Sequence, residues 1–457
     1  MAELTDGATD RFAAFLDRLR CQGDRECLVC DGTSFSYADL LREVDSARDR
    51  IVALGAWPGR VVALRADYSL QSVAALCALL AAKTAVAMLP RDRDPGSLLA
   101  DCHATGVLDI DPLGRWNWAA LPGQPDSHPL LTALQTTGDA GIVLFTSGST
   151  GRPKAALQSL HRFLGKFARP GKSFRTLAFL LFDHVAGLDT LFYTLANGGT
   201  VVVTRDRSPP AISRLIEEAK VEVLSASPTF LRLLCLAGGD GERDLSSLKI
   251  ITYGSEPMDP RTLRLLNDRF PSCRISQKYG TTETGSPRSA SRDNDSLWLK
   301  LGGDGMETKV IDGVLYLRSE GAILGYLNAP SPVDADGWYC TGDLVDVDGE
   351  WIRFRGRSSD RINVGGEKVS PAEVEQVILE LDFVREAVVT GAANPIMGQV
   401  VAATVALTSA MDEREALRSI RVHCRSRLAR HMVPVRIDFV PGSLSTARQK
   451  LQRTVHT

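Results

Sequence analysis

The chain lacks several features that would each narrow its function at once. No apolar run is long enough to cross a bilayer: the richest, residues 73–89, is broken by Lys83 and falls short of the roughly 20 residues a spanning helix needs. It reads instead as a buried helix followed by a strand. The first ten residues are polar and acidic, without the basic and apolar stretches of a secretory leader, which predicts a cytoplasmic protein. Charge of one sign does not accumulate either. Basic residues number 53 and acidic ones 55, for a net charge of −2 spread along the whole length. That balance argues against a nucleic-acid footprint and against a polybasic membrane patch. The nine cysteines have no framework spacing. Cys27 and Cys30 form a lone C-x-x-C with no second pair and no clustered histidine, and Leu28 and Val29 between them look like strand core. Reduced, buried thiols are the expectation. The common phosphate-loop signature G-x-x-x-x-G-K-S/T is also missing.

What is present is ordinary in composition and ordered in pattern. With 44% hydrophobic and 24% charged residues over 457 positions, the chain can bury more than one core, so two or more domains are expected. Up to about residue 350, apolar runs alternate with helical patterns, the signature of α/β layering. Strands are predicted at 60–64, 85–89, 141–145, 199–203 and 248–253, and a helix at 71–82. Residues 111–140, rich in Pro, Gly and Asp, are predicted to run over the surface. The character changes near Gly356. Short β-like segments (VLYLRS, EWIRFRGR) give way to a helix starting at Ser370-Pro371, strands at 387–390 and 400–407, and a helix over 413–428. This predicts a large N-terminal α/β domain over 1–357, and a small α+β domain over 358–457 that moves about a hinge at 357–361.

The strongest chemical signal is residues 144–154, LFTSGSTGRPK. An apolar strand runs into small hydroxylated and glycine residues and then a lysine. Small residues let backbone N–H groups approach an anion, hydroxyls donate to its oxygens, and Lys154 adds charge; a triphosphate is the natural ligand. A second group, Tyr279 to Glu283 (YGTTE), sets an aromatic suited to a base, hydroxyls for phosphate and a carboxylate suited to Mg²⁺ within one short segment. In a third, Tyr339 to Asp343 (YCTGD), a carboxylate after a tight turn is suited to ribose hydroxyls. A fourth comprises Arg355-Gly-Arg357, residues 362–368 (INVGGEK) and residues 371–375 (PAEVE).

Taken in order, these segments resemble the adenylate-forming superfamily of acyl-CoA synthetases, aryl-acid ligases, peptide-synthetase adenylation domains and luciferases. The resemblance runs from residues 35–40 (FSYADL) to Lys450, nearly the whole chain. It implies that Thr146, Ser147, Gly148, Ser149, Thr150, Gly151 and Lys154 form the loop over the β- and γ-phosphates. Gly254, Ser255, Glu256 and Pro257 would lie against adenine. Tyr279, Gly280, Thr281 and Thr282 would continue that wall to the α-phosphate, with Thr282 among the catalytic groups. Glu283 would hold Mg²⁺, Asp343 the ribose with support from Arg357, and Lys450 would be the catalytic lysine. Gly365 and Gly366 would border a tunnel for a pantetheine thiol, and Ser359 with Asp360 would form the hinge. The implied cofactors are ATP and Mg²⁺, with CoA or a phosphopantetheine carrier as acceptor. The implied partners are a small carboxylic acid and a separate carrier protein.

Several positions depart from the family's pattern. Ala155 and Leu160 stand where glycine and histidine are usual, although His161 is adjacent. Leu444 and Gln449 replace the customary proline and glycine before the lysine, and Asn363 replaces a common lysine. None removes a group that adenylation needs. The acid-facing segment is residues 182–187, FDHVAG. Read as H-x-x-G, His184 and Gly187 are similar to fatty- and aryl-acid CoA ligases. Read as Phe-Asp, Asp183 is similar to the residue that pairs with an α-amino group. Phe230, in residues 227–231 (SPTFL), would line the same pocket and points to an apolar acid. The resemblance therefore implies an AMP-forming acid–thiol ligase acting on an aryl or fatty acid. The alternatives are a stand-alone amino-acid adenylating enzyme, or a non-catalytic nucleotide-binding relative.

Overall fold

The computed structural model describes residues 10–54, 59–92, 94–122, 128–146, 152–237, 243–303, 305–408 and 411–444. Two seven-stranded sheets dominate the first half. One runs in the order Arg274–Gln277, Ile250–Tyr253, Val223–Ala226, Arg175–Leu177, Thr200–Val203, Glu26–Cys30 and Thr33–Ser36, and is parallel except for its last hairpin. The other runs Gly325–Tyr326, Lys154–Ser159, Gly141–Thr146, Ala85–Leu89, Val61–Arg65, Ala104–Ile110 and Trp116–Ala120. It is parallel in the middle and antiparallel towards both edges.

One core joins the facing sides of these sheets. It takes Leu28, Val201 and Val203 from the first sheet and Val62, Leu64, Val86 and Met88 from the second. The helix Leu70–Ala81 lies in that layer and is buried from Leu70 and from Ser72 to Leu80. Covered on all sides, it has no need of a polar stripe, which is why its sequence is almost wholly apolar. The expected buried helix followed by the strand Ala85–Leu89 is thus what the chain forms.

A third, antiparallel sheet runs Ser289–Ser291, Leu299–Leu301, Trp351–Arg357, Tyr339–Asp348, Val314–Ser319 and Met306–Ile311. A fourth contains Glu367–Val369, Ile362–Val364, Gly398–Leu407 and Val384–Asn394, with Arg436–Phe439 beside Gly398–Leu407. Its core is shared with the helices Pro371–Leu379 and Glu413–Arg427. Between Arg357 and Ile362 the chain leaves the third sheet for the fourth through a 3-10 turn, Ser358–Asp360.

Residues 111–140 correct the sequence reading. They contain the strand Trp116–Ala120, antiparallel to Ala104–Ile110, and the helix Pro129–Thr136 with Leu131 and Leu134 buried. His128 caps that helix, its Nδ1 accepting from the Leu130 N–H at 3.2 Å, and Pro129 occupies its first turn. The strand is fixed by Trp118, which packs so closely over Gly106 that a Cβ there would lie 2.1 Å from the ring.

All nine cysteines are free thiols. Cys27 and Cys30 lie on one strand that is bulged at Cys27, and both pack against the same core. Burial pushes both thiols up to about 12, which keeps them protonated and inert.

Candidate active site

The strands Gly141–Thr146 and Lys154–Ser159 pair in antiparallel register with Thr146 opposite Lys154. Residues 147–151, including Ser147, Gly148, Ser149, Thr150 and Gly151, lie outside the described residues, as does Lys450. The base of the connection is held from two sides. Arg152 pairs with the buried carboxylate of Asp101. Asn328 uses both ends of its amide: its Oδ1 accepts from the Ala155 N–H at 2.9 Å, and its Nδ2 donates to the Pro153 carbonyl at 2.9 Å. Lys154 is thereby flanked by two clamped peptide groups, and its Nζ lies 5.1 Å from the centre of the Tyr326 ring.

Two of the sequence motifs emerge from neighbouring parallel strands. Ile250–Tyr253 leads into Gly254, and Arg274–Gln277 leads into Tyr279. The carboxyl ends of parallel strands are where α/β sheets open a ligand crevice, because the loops there diverge. The two loops touch: Lys278 N–H donates to Tyr253 O at 2.7 Å, and a Cβ on Gly254 would lie 2.5 Å from Lys278 O. Ser255 is in the left-handed region at φ 71°. Glu256 accepts from the Thr229 hydroxyl at 2.7 Å, tying the Gly254–Pro257 turn to the helix Pro228–Leu236.

Tyr279 and Asp343 meet across the sheets. The Tyr279 hydroxyl donates to Asp343 Oδ2 at 2.7 Å, while Arg357 Nε donates to Oδ1 at 3.0 Å. Asp343 and Arg357 are register partners on adjacent strands, so the pair is set by the sheet itself. Thr341 Oγ1 accepts from the Asp343 N–H at 3.0 Å, which fixes the turn at Gly342. One face of Tyr279 stacks on Phe354, with centroids 4.6 Å apart and planes at 18°. Burial, with the Asp343 charge adding to it, pushes the Tyr279 phenol well above its ordinary range and keeps it a donor. Each Asp343 oxygen has a second lone pair for a ligand.

Thr282 and Glu283 occupy the tip of a loop closed by backbone bonds between Thr281 and Gly285, at 3.2 and 2.9 Å. The hydroxyls of Thr281 and Thr284 also meet at 2.9 Å. Gly280 cannot carry a side chain without meeting Ser286 Oγ at 2.7 Å. Glu283 is buried, and its Oε1 accepts from the Tyr326 hydroxyl at 2.6 Å. A second phenol, Tyr339, feels the same carboxylate: burial and then the charge of Glu283 push it up, with Asp343 adding and Arg357 opposing. Two contact groups result, Lys154–Tyr326–Glu283 and Tyr279–Asp343–Arg357, and the chain from Tyr279 to Glu283 connects them. No cluster of three metal-ligating side chains exists among the described residues. A buried hard-oxygen ligand suits Mg²⁺ all the same, since that ion is usually held by one or two carboxylates and completed by substrate phosphates.

The acid-facing segment is held by a ring contact, a helix cap and a close backbone approach. Phe182 is buried against Tyr68, with ring centroids 4.9 Å apart. His184 caps the helix Val185–Ala196, its Nδ1 accepting from the Ala186 N–H at 3.3 Å, which puts the neutral ring's proton on Nε2. Asp183 stands beside it, half-buried. Gly187 has a structural reason of its own, because a Cβ there would lie 1.9 Å from Leu181 O. Phe230 is fully buried and packs on Phe179 at 4.1 Å, within the core behind the first sheet. Gly365 and Gly366, at φ 60° and 100°, form the turn between Ile362–Val364 and Glu367–Val369. Ser359 donates to Asp360 Oδ1 at 3.0 Å within the connecting 3-10 turn.

Tyr326, Tyr339, Asn328 and Phe354 are the groups the sequence reading did not single out. Tyr339 stood inside a quoted motif, and Phe354 alternates with charged residues in WIRFRGR. Tyr326 and Asn328 follow Gly325 in an apolar stretch whose appearance is that of an ordinary loop.

The family model described as AMP-binding enzyme matches residues 15–326, and that of the AMP-binding enzyme C-terminal domain matches residues 373–450. The 2-succinylbenzoate–CoA ligase of Listeria monocytogenes is 26% identical over 95% of this chain and 97% of its own length. Triostin synthetase I of Streptomyces triostinicus is 29% identical over 92% of this chain and 89% of its own. In fold, the chain is similar to the anthranilate CoA ligase AuaEII in complex with anthranoyl-AMP, with TM-score 0.80, 21% identity and 96% and 95% of the two chains covered. It is similar also to ATP-bound MatB from Rhodopseudomonas palustris, with TM-score 0.81, 22% identity and 97% of each chain covered. A nucleotide-suited contact chain set on this fold, and a family match over more than half the sequence, make the protein a member of the AMP-binding, adenylate-forming enzyme family.

Proposed function

We propose that the protein joins a carboxylic acid to ATP as an acyl-adenylate, releases pyrophosphate, and then passes the acyl group to a thiol. The observation that carries this reading is the pair of contact groups, Lys154–Tyr326–Glu283 and Tyr279–Asp343–Arg357, set on the two ends of one short loop. Attack of a carboxylate on the α-phosphate brings two anions together, so the site must spread negative charge. Lys154 and the residue 147–151 loop take the outer phosphates, and Thr281 with Thr282 meets the α-phosphate. Asp343, held between Tyr279 and Arg357, accepts from the ribose hydroxyls. Gly254 to Pro257 and Tyr279 flank adenine. Mg²⁺, when bound, neutralises phosphate charge, and Glu283 is the side chain that would hold it. Lys450 acts at the α-phosphate, and its removal should stop adenylation while sparing ATP binding. Turning about Ser359 and Asp360 then brings the Gly365–Gly366 turn to the site for the thiol of CoA or of a carrier protein. A reducing, cytoplasmic setting belongs to the same reading, and the nine free thiols, five of them buried, suit it.

An aryl or fatty acid is the favoured substrate, on the strength of His184 and Gly187 in the acid-facing segment; Phe230, buried in the core, adds nothing to that choice. Asp183 supports a second reading, in which an α-amino acid is adenylated for a carrier, and the similarity to Triostin synthetase I keeps that reading beside the first. ATP–pyrophosphate exchange over a panel of aryl, fatty and amino acids, with and without CoA, decides. Exchange with one class fixes the substrate, and product mass then identifies the thiol. Measurable ATP binding with no exchange on any acid would defeat the reading.

A further inference from the structure

We propose that Tyr326 is a positioning residue that couples the phosphate-loop lysine to the acidic residue of the nucleotide site. The inference rests on the adenylation reading and extends it to a residue with no role assigned so far. Tyr326 is buried, and it has two different partners on two of its parts. Its hydroxyl donates to Glu283 Oε1 at 2.6 Å, and the face of its ring lies under Lys154 Nζ at 5.1 Å. Glu283 and Lys154 come from different sheet connections and have no covalent reason to keep a constant relation. Tyr326 gives them one.

The side chain is itself fixed by its backbone. Tyr326 pairs with Ala156 and Gly325 with Leu157, on the very strand that begins with Lys154. Leu327 N–H donates to Ala155 O at 2.8 Å, and the Asn328 amide grips Pro153 and Ala155 on either side of Lys154. On the other flank, Ile323 N–H donates to Glu283 O at 2.9 Å, and Gln158 Nε2 donates to Gly321 O at 3.1 Å. Residues 321–328 are therefore stitched to the lysine strand and to the Glu283 loop at once. A buried carboxylate that gives one oxygen to a fixed phenol keeps one rotamer, and its other oxygen has a set direction. Residues that orient a metal-binding carboxylate contribute to metal affinity without touching the metal. The ring has a separate effect: a cation held over an aromatic face is attracted to it, which limits where the lysine ammonium can rest.

The two parts can be separated by mutation. Tyr326→Phe keeps the ring and removes only the hydroxyl, whereas Tyr326→Leu removes both. The test is calorimetric titration of the full chain with ATP, without metal and with Mn²⁺, alongside Mn²⁺ binding followed by electron paramagnetic resonance in the presence of ATP. Tyr326→Phe should bind metal-free ATP within about twofold of the parent, yet bind Mn²⁺ in the ATP complex about tenfold more weakly. Tyr326→Leu should lose a further few-fold in metal-free ATP affinity through Lys154. Combined with Glu283→Gln, Tyr326→Phe should add nothing to the Mn²⁺ defect, because both changes act on one carboxylate. Thermal unfolding shows whether each variant is folded; should Tyr326→Phe not fold, the comparison is made with Tyr326→Trp, which also lacks the phenol hydroxyl. A folded Tyr326→Phe that matches the parent in Mn²⁺ affinity would overturn the proposal alone. A parent protein that takes up neither ATP nor Mn²⁺ would bring down the adenylation reading first, and this inference with it.

Discussion

Asp343 and Arg232 are both charged and both buried, and they are used in opposite ways. Asp343 is held by side chains of its own neighbourhood, Tyr279 and Arg357, and each of its oxygens keeps capacity for another donor. Arg232, on the helix Pro228–Leu236, directs its donors almost entirely at the backbone of the fourth-sheet unit. It donates to Arg385 O at 3.0 Å, Leu379 O at 3.1 Å and Val384 O at 2.8 Å, and also to Thr262 Oγ1 at 3.1 Å. All three carbonyls sit at this junction: Val384 and Arg385 open the strand Val384–Asn394, and Leu379 O is among the last carbonyls of the helix Pro371–Leu379, which need partners from outside it. Burial desolvates the guanidinium and lowers its pKa, with the Asp259 carboxylate, 3.8 Å away, opposing. Burial and charge together therefore do not mark a ligand site. What distinguishes the two is whether hydrogen-bonding capacity is left over.

The comparison can be broken most forcefully at Arg232. Arg232→Ala leaves Asp259 buried without its cation and strips three carbonyls of a donor, so a loss of about 3–5 kcal/mol in the stability of this seam is expected. Equilibrium unfolding should show the fourth-sheet unit separating from the rest, while metal-free ATP affinity stays within about twofold of the parent. A large fall in ATP affinity with unchanged unfolding would mean that Arg232 had been placed on the wrong side of the comparison. Asp343→Ala should do the reverse. Charge-assisted hydrogen bonds of this kind contribute about 1.5–3 kcal/mol, so ATP should bind about 10- to 100-fold more weakly by calorimetry. Unchanged affinity would remove Asp343 as the ribose ligand.

How much of this was legible in the sequence follows from the distance between partners. The stretch from Thr146 to Lys154, the Thr281–Glu283 loop and the Asp343 turn are local runs of small, hydroxylated and acidic residues, so pattern alone singles them out. Tyr326 reaches Glu283 over 43 positions, Asn328 reaches Ala155 over 173, and Arg232 reaches Arg385 over 153. A tyrosine, an asparagine and an arginine in unremarkable surroundings give no sign of such partners. The α/β layering was readable because burial sets periodicity, and the strand Ala85–Leu89 was located to the residue. The strand Trp116–Ala120 was missed because five residues at a sheet edge, mostly exposed, carry too little alternation to outweigh the Pro, Gly and Asp around them. Phe230 shows the limit from the other side: a helix similar to a pocket helix was visible, but which of its faces meets the core was not.

Smaller changes sharpen the contrast on each side. Arg261 supports the same seam as Arg232, donating to Leu379 O at 3.3 Å and Glu380 O at 3.2 Å, and pairing with Asp382, which is 94% exposed. Its bonds are longer and its ionic partner is in water, so Arg261→Ala should cost only about 0.5–1.5 kcal/mol in the same unfolding experiment. A loss equal to that of Arg232→Ala would mean that exposure does not weaken the pair as argued. On the nucleotide side the matching small change is Phe354→Leu. The near-parallel stack of Phe354 on Tyr279 holds the phenol over Asp343 without touching the carboxylate itself. Such aromatic pairs are worth about 0.5–1.5 kcal/mol beyond the area they bury, and leucine keeps most of that area. A loss of about two- to tenfold in ATP affinity is expected, smaller than that of Asp343→Ala and largely absent when Asp343 is already alanine. Full additivity of the two changes would show that Phe354 acts on the nucleotide by some route other than the Tyr279–Asp343 bond, and would leave that bond as a feature of the sheet alone.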